Sequence, residues 1–347
     1  MSLVVVDADV LGRRRTGDET YVRNLLRTLP APAAEAGLDI AAVTRHPELV
    51  PDGVLPVLLP ARSQELRMAW TLPRTLRRLG AVLTHTQYAL PFRCPCPVVV
   101  TIHDLSFEHG LMGRRDRLVF ERVVPRAARE AARVLTVSER TKRDLVEHYG
   151  IPPERIVVTP NGVDPAFHPL RAAGPKSSSD TVSLGKPYAL AVGAIQERKN
   201  QPAALAAARE AGLELVVVGP VKDERVAAAL REGGARLEGY VAVERLAELY
   251  RGAACLVQAS RYEGFGLPVV EAMASGTPVV TVPDAALVEV AGDAAVVVPE
   301  AELAAGIRRA VEERDTLAAA GLERARAFTW EAAARATVTA YVEALDR

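Results

Sequence analysis

Short apolar runs alternate with segments of helical period along nearly the whole chain, and this alternation restricts the fold more than any other feature of the sequence. Residues 3–6, 40–43, 54–59 and 98–102 read as strands in the first half, with a helix over about 18–29 between the first two. Residues 188–192, 215–218, 235–237, 255–257 and about 295–298 repeat the pattern in the second half. Strands separated by helical segments imply an α/β architecture, with parallel sheets covered by helices on both faces. In such sheets ligands sit beyond the carboxyl ends of the strands. The 347 residues are enough for two domains of this kind, each with its own core. Residues 169–186 hold Gly174, Pro175, Ser177, Ser178, Ser179 and Asp180 without an apolar period, which is linker composition. The expected domains are therefore 1–170 and 187–327, with a linker at 171–186. A final amphipathic helix opens at Phe328-Thr329-Trp330-Glu331.

At the ligand edge of the second half, residues 261–281 read RYEGFGLPVVEAMASGTPVVT. Pro268 suits the first turn of a helix and Gly276 its stop. Glu263 then lies in the turn above a strand, and Glu271 lies eight positions on, in the first turns of the helix. Two carboxylates frame one cleft. Gly264 and Gly266 expose backbone N–H groups at the helix N-terminus, where the summed peptide dipole favours a phosphate or an oxyanion. A carboxylate beside such a site prefers a polyol, and a sugar nucleotide carries both groups. Glu271 would accept from ribose hydroxyls, and Glu263 would face the sugar. The plain alternative is a strand–turn–helix corner with two solvated glutamates, but the full run is more specific than the pair alone. Upstream, Gly193-Ala-Ile-Gln-Glu-Arg198-Lys199-Asn200 precedes a helix entered through Pro202. Arg198 offers a planar fork for phosphate oxygens and Lys199 a point charge, so together they could neutralise a diphosphate. A surface pair bridged to Glu197 is the alternative there.

The 261–281 run resembles the Glu-x7-Glu signature of the family 4 (group 1) retaining glycosyltransferases, and the resemblance extends over nearly the whole chain. The Glu197-Arg198-Lys199-Asn200 segment resembles that family's diphosphate-binding loop, with Ala194 where some relatives carry arginine. Thr16-Gly17-Asp18-Glu19 resembles its first glycine loop, Thr101-Ile102-His103-Asp104 its Thr-x-His-Asp motif, and Asn161-Gly162 its interdomain turn. The resemblance implies the GT-B fold, two facing Rossmann-like domains in which residues 328–347 cross back onto the first domain. Trp330, Val338, Tyr341, Val342 and Leu345 would supply the docking stripe.

The resemblance also implies roles for the site residues. Gly17 would lie near the donor phosphate and the acceptor, and His103 would contact the donor sugar. Gly193, Arg198 and Lys199 would hold the diphosphate, and Tyr240 and Val241 would line the base pocket. Glu263, Gly264, Phe265, Gly266 and Leu267 would orient the sugar, and Glu271 the ribose. Catalysis is expected from His103, Glu263, Lys199 and Arg198, with no metal and no cofactor beyond the donor. The implied reaction moves a hexose with retention, mannose from GDP-mannose as first choice, to a hydroxyl of a glycan, a lipid or a small molecule. UDP-glucose or another UDP-hexose is the alternative donor. A non-catalytic sugar-nucleotide-binding protein on the same fold is the alternative of another class, disfavoured by the presence of His103, Lys199 and Glu263. A dinucleotide-dependent oxidoreductase would need Gly-x-Gly-x-x-Gly after the first strand, where only Gly12 and Gly17 stand.

Lys+Arg and Asp+Glu both number 43, so the formal net charge is zero and no nucleic-acid partner is expected. The three cysteines are too few for a disulfide framework and lack zinc-ligand spacing, which suits a reducing cytosol. The apolar start at 3–6 is too short for a signal peptide, and no window reaches the roughly 18 apolar residues of a membrane span. A cytoplasmic protein is expected, with contact at the inner membrane surface left open. Residues 63–79 interleave Arg67, Arg74, Arg77 and Arg78 with Leu66, Met68, Trp70, Leu72 and Leu76 around Pro73. This reads as a kinked surface helix with a solvated arginine face, or else as a basic amphipathic segment resting on an anionic membrane. Asp7 and Asp9 have the look of a metal-binding pair, but alternation after a strand explains them.

Overall fold

The computed structural model describes residues 2–13, 16–59, 61, 63–169 and 186–346. The chain divides into two compact units, Met1–Gly162 together with Thr329–Arg347, and Val163–Phe328. The expected linker at 171–186 lies outside the described residues except for Lys186, and the division itself falls earlier, after Gly162.

The first unit is built on a parallel sheet of β1 (Ser2–Asp7), β2 (Leu38–Thr44), β3 (Leu55–Leu58), β4 (Leu83–Gln87), β5 (Val98–Ile102), β6 (Arg133–Thr136) and β7 (Ile156–Val158). Their order is β3-β2-β1-β4-β5-β6-β7, with Val4 paired to Ile40 on one side and Leu83 on the other. Helices cover both faces of such a sheet, so β1 is apolar without a break from Leu3 to Val6 and β5 from Val98 to Val100. The order reverses between β1 and β4, and the crevice at such a switch point is where open α/β sheets take ligands.

The final helix, Trp330–Leu345, belongs to this unit and packs against helices Thr16–Thr28 and Pro30–Glu35 and against β5 and β6. Trp330, Val338 and Tyr341 are buried as the expected stripe requires, but Val342 is 37% exposed and Leu345 only half-buried. The face is completed instead by Ala333, Ala334, Thr337, Ala340 and Ala344, whose small side chains let the helix backbone approach. Tyr341 also ties the helix to the sheet by a buried polar chain. His85 Nδ1 lies 2.7 Å from Tyr341 Oη, its Nε2 lies 2.7 Å from Thr101 Oγ1, and that oxygen lies 2.9 Å from Tyr21 Oη. Burial pushes the His85 imidazole down to about 3, so the relay is a neutral one.

Residues 64–79 form one helical stretch with a π-helical turn, Arg67–Thr71, just ahead of the helix Leu72–Leu79. Pro73 has no N–H to donate and its ring would clash in a regular turn, so the widened turn accommodates it. The solvated arginine face is corrected in part. Arg74, Arg77 and Arg78 are exposed, but Arg67 is buried, pairing with Asp7 at 3.4 Å and with Asp9. Asp9 also pairs with Arg45 at 2.8 Å and with Arg13. The two aspartates at the end of β1 are thus held by guanidinium groups. Burial pushes the Asp7 carboxyl up against the pull of Arg67 and Arg13.

The second unit repeats the architecture with β8 (Tyr188–Val192), β9 (Glu214–Val218), β10 (Arg236–Gly239), β11 (Cys255–Gln258), β12 (Val279–Thr281) and β13 (Val296–Val297). These are parallel in the order β10-β9-β8-β11-β12-β13. The reversal falls between β8 and β11, so the turns that leave those two strands meet at one place on the sheet's carboxyl edge. Among the described residues, no helix is long and apolar enough to cross a membrane.

Candidate active site

The turn after β8 is a single 3-10 turn, Glu197–Lys199, stopped by Asn200 in the left-handed region at φ 51°. Asn200 Nδ2 donates to Glu300 Oε2 at 2.9 Å, which fixes the start of the helix Gln201–Glu210. Gly193 has φ 138°, and a Cβ there would meet Lys199 Cε at 3.2 Å. Glycine both permits that backbone and leaves room for the lysine stem to lie across it.

The stem carries Lys199 Nζ to Glu263 Oε1 at 2.5 Å. Arg198 Nη1 donates to the Tyr262 carbonyl at 2.7 Å and lies 3.4 Å from Glu263 Oε2. Gln258, the last residue of β11, donates to Glu263 Oε1 at 2.7 Å and to Ser260 Oγ at 3.0 Å. Burial pushes the Glu263 carboxyl up, but Lys199 and then Arg198 outweigh burial and hold it at about 2. Glu263 is therefore an anion clamped between two cations. Glu197 pairs with Arg261 at 3.4 Å, so the fixed pair of Arg198 and Lys199 is organised on Glu263.

Three residues beyond Glu263, Gly266 takes φ 105°, and a Cβ there would stand 2.7 Å from Leu287 Cδ2. It opens the helix Leu267–Ala274 with Pro268 in the first turn and no side-chain cap. Pro268 has no N–H and the Val269 N–H already donates to the Gly266 carbonyl at 2.9 Å, so what favours an anion at this end is the helix dipole together with the backbone N–H groups that precede the proline. Phe265 is buried, its ring edge-on to Phe328 at 5.6 Å. Glu271, on the same helix, is buried and accepts from Tyr250 Oη at 2.8 Å. Burial pushes its carboxyl up to about 7, against the Tyr250 hydrogen bond and with help from Asp164. The two carboxylates are eight positions apart but opposite in character. Tyr240 and Val241 follow β10, with the Tyr240 side chain 52% exposed.

In the first unit, His103 follows β5, and its ring is flanked edge-on by Tyr21 at 4.6 Å and at a tilt by Tyr88 at 5.6 Å. Burial pushes the imidazole down while Asp18 and Asp104 push it up, and the net shift is downward. Nε2 is buried without a hydrogen-bond partner among the described residues. Buried polar atoms are normally satisfied, so this nitrogen has capacity for a ligand. Gly17 stands exposed in the first turn of the helix Thr16–Thr28, with nothing among the described residues within 4 Å of where a Cβ would be.

The structure thus brings Gly193, Arg198, Lys199, Glu263 and the 264–267 turn into one cluster in the second unit, with Glu271 on the helix that the turn opens. His103 and Gly17 belong to the first unit. Gln258 and Tyr250 were not among the expected residues. A lone glutamine closing an apolar strand at a sheet's ligand edge is a readable signal. Tyr250 gives none, because its partner is set by how the helix Val243–Gly252 packs.

Residues 15–167 match the family described as Glycosyltransferase Family 4, and residues 176–327 the family described as Glycosyl transferases group 1. The chain is 31% identical to the O-antigen chain mannosyltransferase B of Escherichia coli over 79% of its own length and 77% of that protein. It is 36% identical to a D-inositol 3-phosphate glycosyltransferase of Geodermatophilus obscurus over 62% of its length and 54% of the relative. The chain therefore spans about three quarters of the first of these two relatives and about half of the second. Among solved structures, sucrose-phosphate synthase from Thermosynechococcus elongatus superposes with TM-score 0.74 at 22% identity, covering 99% of this chain and 98% of that one. Anabaena HepE in complex with UDP and glucose superposes with TM-score 0.72 at 15% identity, covering 99% of both chains. These two likenesses carry the fold, an α/β two-domain architecture of GT-B type. By the family matches, this chain belongs to the family 4, group 1 glycosyltransferases and is a nucleotide-sugar-dependent enzyme.

Proposed function

We propose that the protein transfers a hexose from a nucleoside diphosphate sugar to a hydroxyl acceptor with retention at the anomeric carbon. The observation that carries this reading is the Lys199–Glu263–Arg198 cluster beside an uncapped helix N-terminus. Two cations and a helix dipole are what a departing diphosphate needs, because stabilising its developing charge is the largest demand of the reaction. The bond from the anomeric carbon to the β-phosphate oxygen breaks, and the acceptor oxygen bonds the same face of that carbon. The acceptor's proton passes to the leaving phosphate oxygen. Glu263 and the N–H groups of Phe265 to Leu267 orient the sugar and Glu271 holds the ribose, while for His103 a contact with the donor sugar rests on the family resemblance alone. The protein's own cations do the neutralising in this scheme.

The donor is GDP-mannose, its mannose supported by the mannosyltransferase relative and its GDP resting on the family resemblance. A UDP-hexose is the second reading, supported by the neighbour that holds UDP and glucose. In a thermal-shift panel, a nucleotide present at about 100 times its Kd stabilises by about 2.7 kcal/mol. GDP is expected to raise the melting temperature more than UDP at equal concentration. The reverse order would move the donor to UDP-hexoses, and no shift from either would remove the nucleotide from the proposal.

The acceptor is a glycan, lipid or small metabolite read by the first unit's loops, and a peripheral contact with an anionic membrane belongs to the same proposal. Leu66, Trp70 and Phe92 are large exposed apolar side chains, and Phe92 is anchored by its N–H to the Met68 carbonyl at 2.8 Å. The Arg74 guanidinium lies 3.8 Å above the Trp70 ring, with Arg77 and Arg78 exposed one turn on. Aromatic and cationic side chains on one helical face suit an anionic interface. The protein is expected to sediment with phosphatidylglycerol-containing vesicles and not with neutral ones, and Trp70→Ala to weaken that binding about tenfold. Equal sedimentation with both vesicle types would end the membrane part of the proposal.

A further inference from the structure

The loop between β4 and β5 carries Cys94-Pro95-Cys96, which no part of the glycosyl-transfer chemistry uses. Cys96 lies two residues ahead of Val98, so the pair sits at the amino edge of β5, away from the carboxyl edge that takes ligands. Both thiols are half-buried, and their Sγ atoms are 4.0 Å apart. The backbone before them is constrained: Arg93 takes φ 48°, and Arg77 Nη2 donates to its carbonyl at 3.2 Å. The thiols edge a recess of about 400 Å³ whose charged side chains are Arg93, Arg126 and Glu130. Arg126 pairs with Glu130 at 3.1 Å, leaving the wall cationic on balance with Arg93 and the neighbouring Arg77. Cys255, by contrast, is buried in β11.

We propose that Cys94 and Cys96 are a redox-active dithiol, closed to a disulfide by an anionic low-molecular-weight disulfide of the glutathione class. The sulfurs need to approach by about 2 Å to reach a bonded S–S length near 2.05 Å, a shift within reach of side-chain rotation. The order of events follows from the neighbours. The Cys96 thiol, and after it Arg77, hold the Cys94 thiol below its ordinary range against burial, while the Cys94 side pushes the Cys96 thiol up. Cys94 thiolate attacks one sulfur of the reagent, forming a mixed disulfide and releasing one thiolate. Cys96 loses its proton to solvent and attacks Cys94 Sγ, releasing the second thiolate. Two electrons pass from the protein thiols to the reagent, which leaves as two thiols.

The test is intact mass and peptide mapping of the full chain exposed to oxidised glutathione. The wild-type protein is expected to lose two hydrogens, with the cross-link mapping to 94 and 96 and Cys255 unmodified, and dithiothreitol is expected to reverse it. Cys96→Ser is expected to retain one glutathione on Cys94, and Cys94→Ser, which removes the neighbour that pushes the Cys96 thiol up, to form no cross-link and to hold at most one glutathione, on Cys96. Cystamine, a dicationic disulfide, is expected to thiolate Cys94 in Cys96→Ser about tenfold more slowly. Three free thiols in the treated wild type, or modification of Cys255 ahead of Cys94, overturns the proposal. A cystamine rate equal to that of oxidised glutathione overturns the anionic preference.

Discussion

Lys199→Ala is expected to lower kcat by about two to three orders of magnitude, the range seen when one preorganised stabiliser of a developing oxyanion is removed. Lys199 Nζ is the group closest to the buried Glu263 carboxylate, and its stem lies across Gly193 in the loop that follows β8. Removing it also leaves Glu263 short of its main counter-charge, which costs about 3–5 kcal/mol when the partner stays buried and ionised. Inactivity could then reflect unfolding, and the double variant Lys199→Ala/Glu263→Gln separates the two effects. Neutralising Glu263 removes the orphaned charge, so the double variant is expected to melt closer to the wild type while remaining inactive. Folded protein with full turnover in Lys199→Ala would falsify the leaving-group role. Recovery of activity in the double variant would mean that the lysine serves only to neutralise Glu263.

What could be read from the residues was local. The strings around Arg198, Lys199, Glu263 and Gly266 carry their own geometry, because glycine positions and helix starts fix where a backbone can bend and where its N–H groups point. What escaped depends on partners distant in sequence. β4, Leu83-Thr-His-Thr-Gln87, has no apolar run because its interior polar atoms are satisfied inside the fold. Thr84 donates to the Val5 carbonyl at 2.8 Å, and His85 is spoken for by Tyr341 and Thr101. Arg67 sits among leucines at helical spacing and reads as solvated, yet Asp7 and Asp9, sixty and fifty-eight positions earlier, draw it inward. Val342 stands off the docking face of the last helix for a related reason. Size suggested valine, but the helix approaches on Ala340 and Ala344. Glu271 was placed by its motif, while its protonation was not, since Tyr250 and the burial that set it come from tertiary packing.

That protonation has a measurable consequence. The Glu271 carboxyl is pushed up to about 7 by burial, from 4.5 in an unstructured chain. A raised pKa means that the folded state binds more protons than the unfolded one between those two values. The associated stability is therefore fully present below pH 4.5 and lost as the pH rises through 7, by about 3 kcal/mol at most. The ribose role pulls the other way. A ribose hydroxyl donates best to an ionised Glu271, so donor binding is expected to strengthen from pH 6 to pH 8 and to weaken by up to about tenfold per unit below 7. The probe has to be the intact sugar nucleotide, whose diphosphate is esterified at both ends and does not titrate in this window, because a free nucleoside diphosphate does. Glu271→Gln is expected to flatten both dependences: its melting temperature loses the decline between pH 5 and pH 8, and its donor affinity, lower than that of the wild type at pH 8, becomes independent of pH. A wild-type affinity that stays level across this range, or one that keeps its slope in Glu271→Gln, places the titrating group elsewhere and takes Glu271 off the ribose.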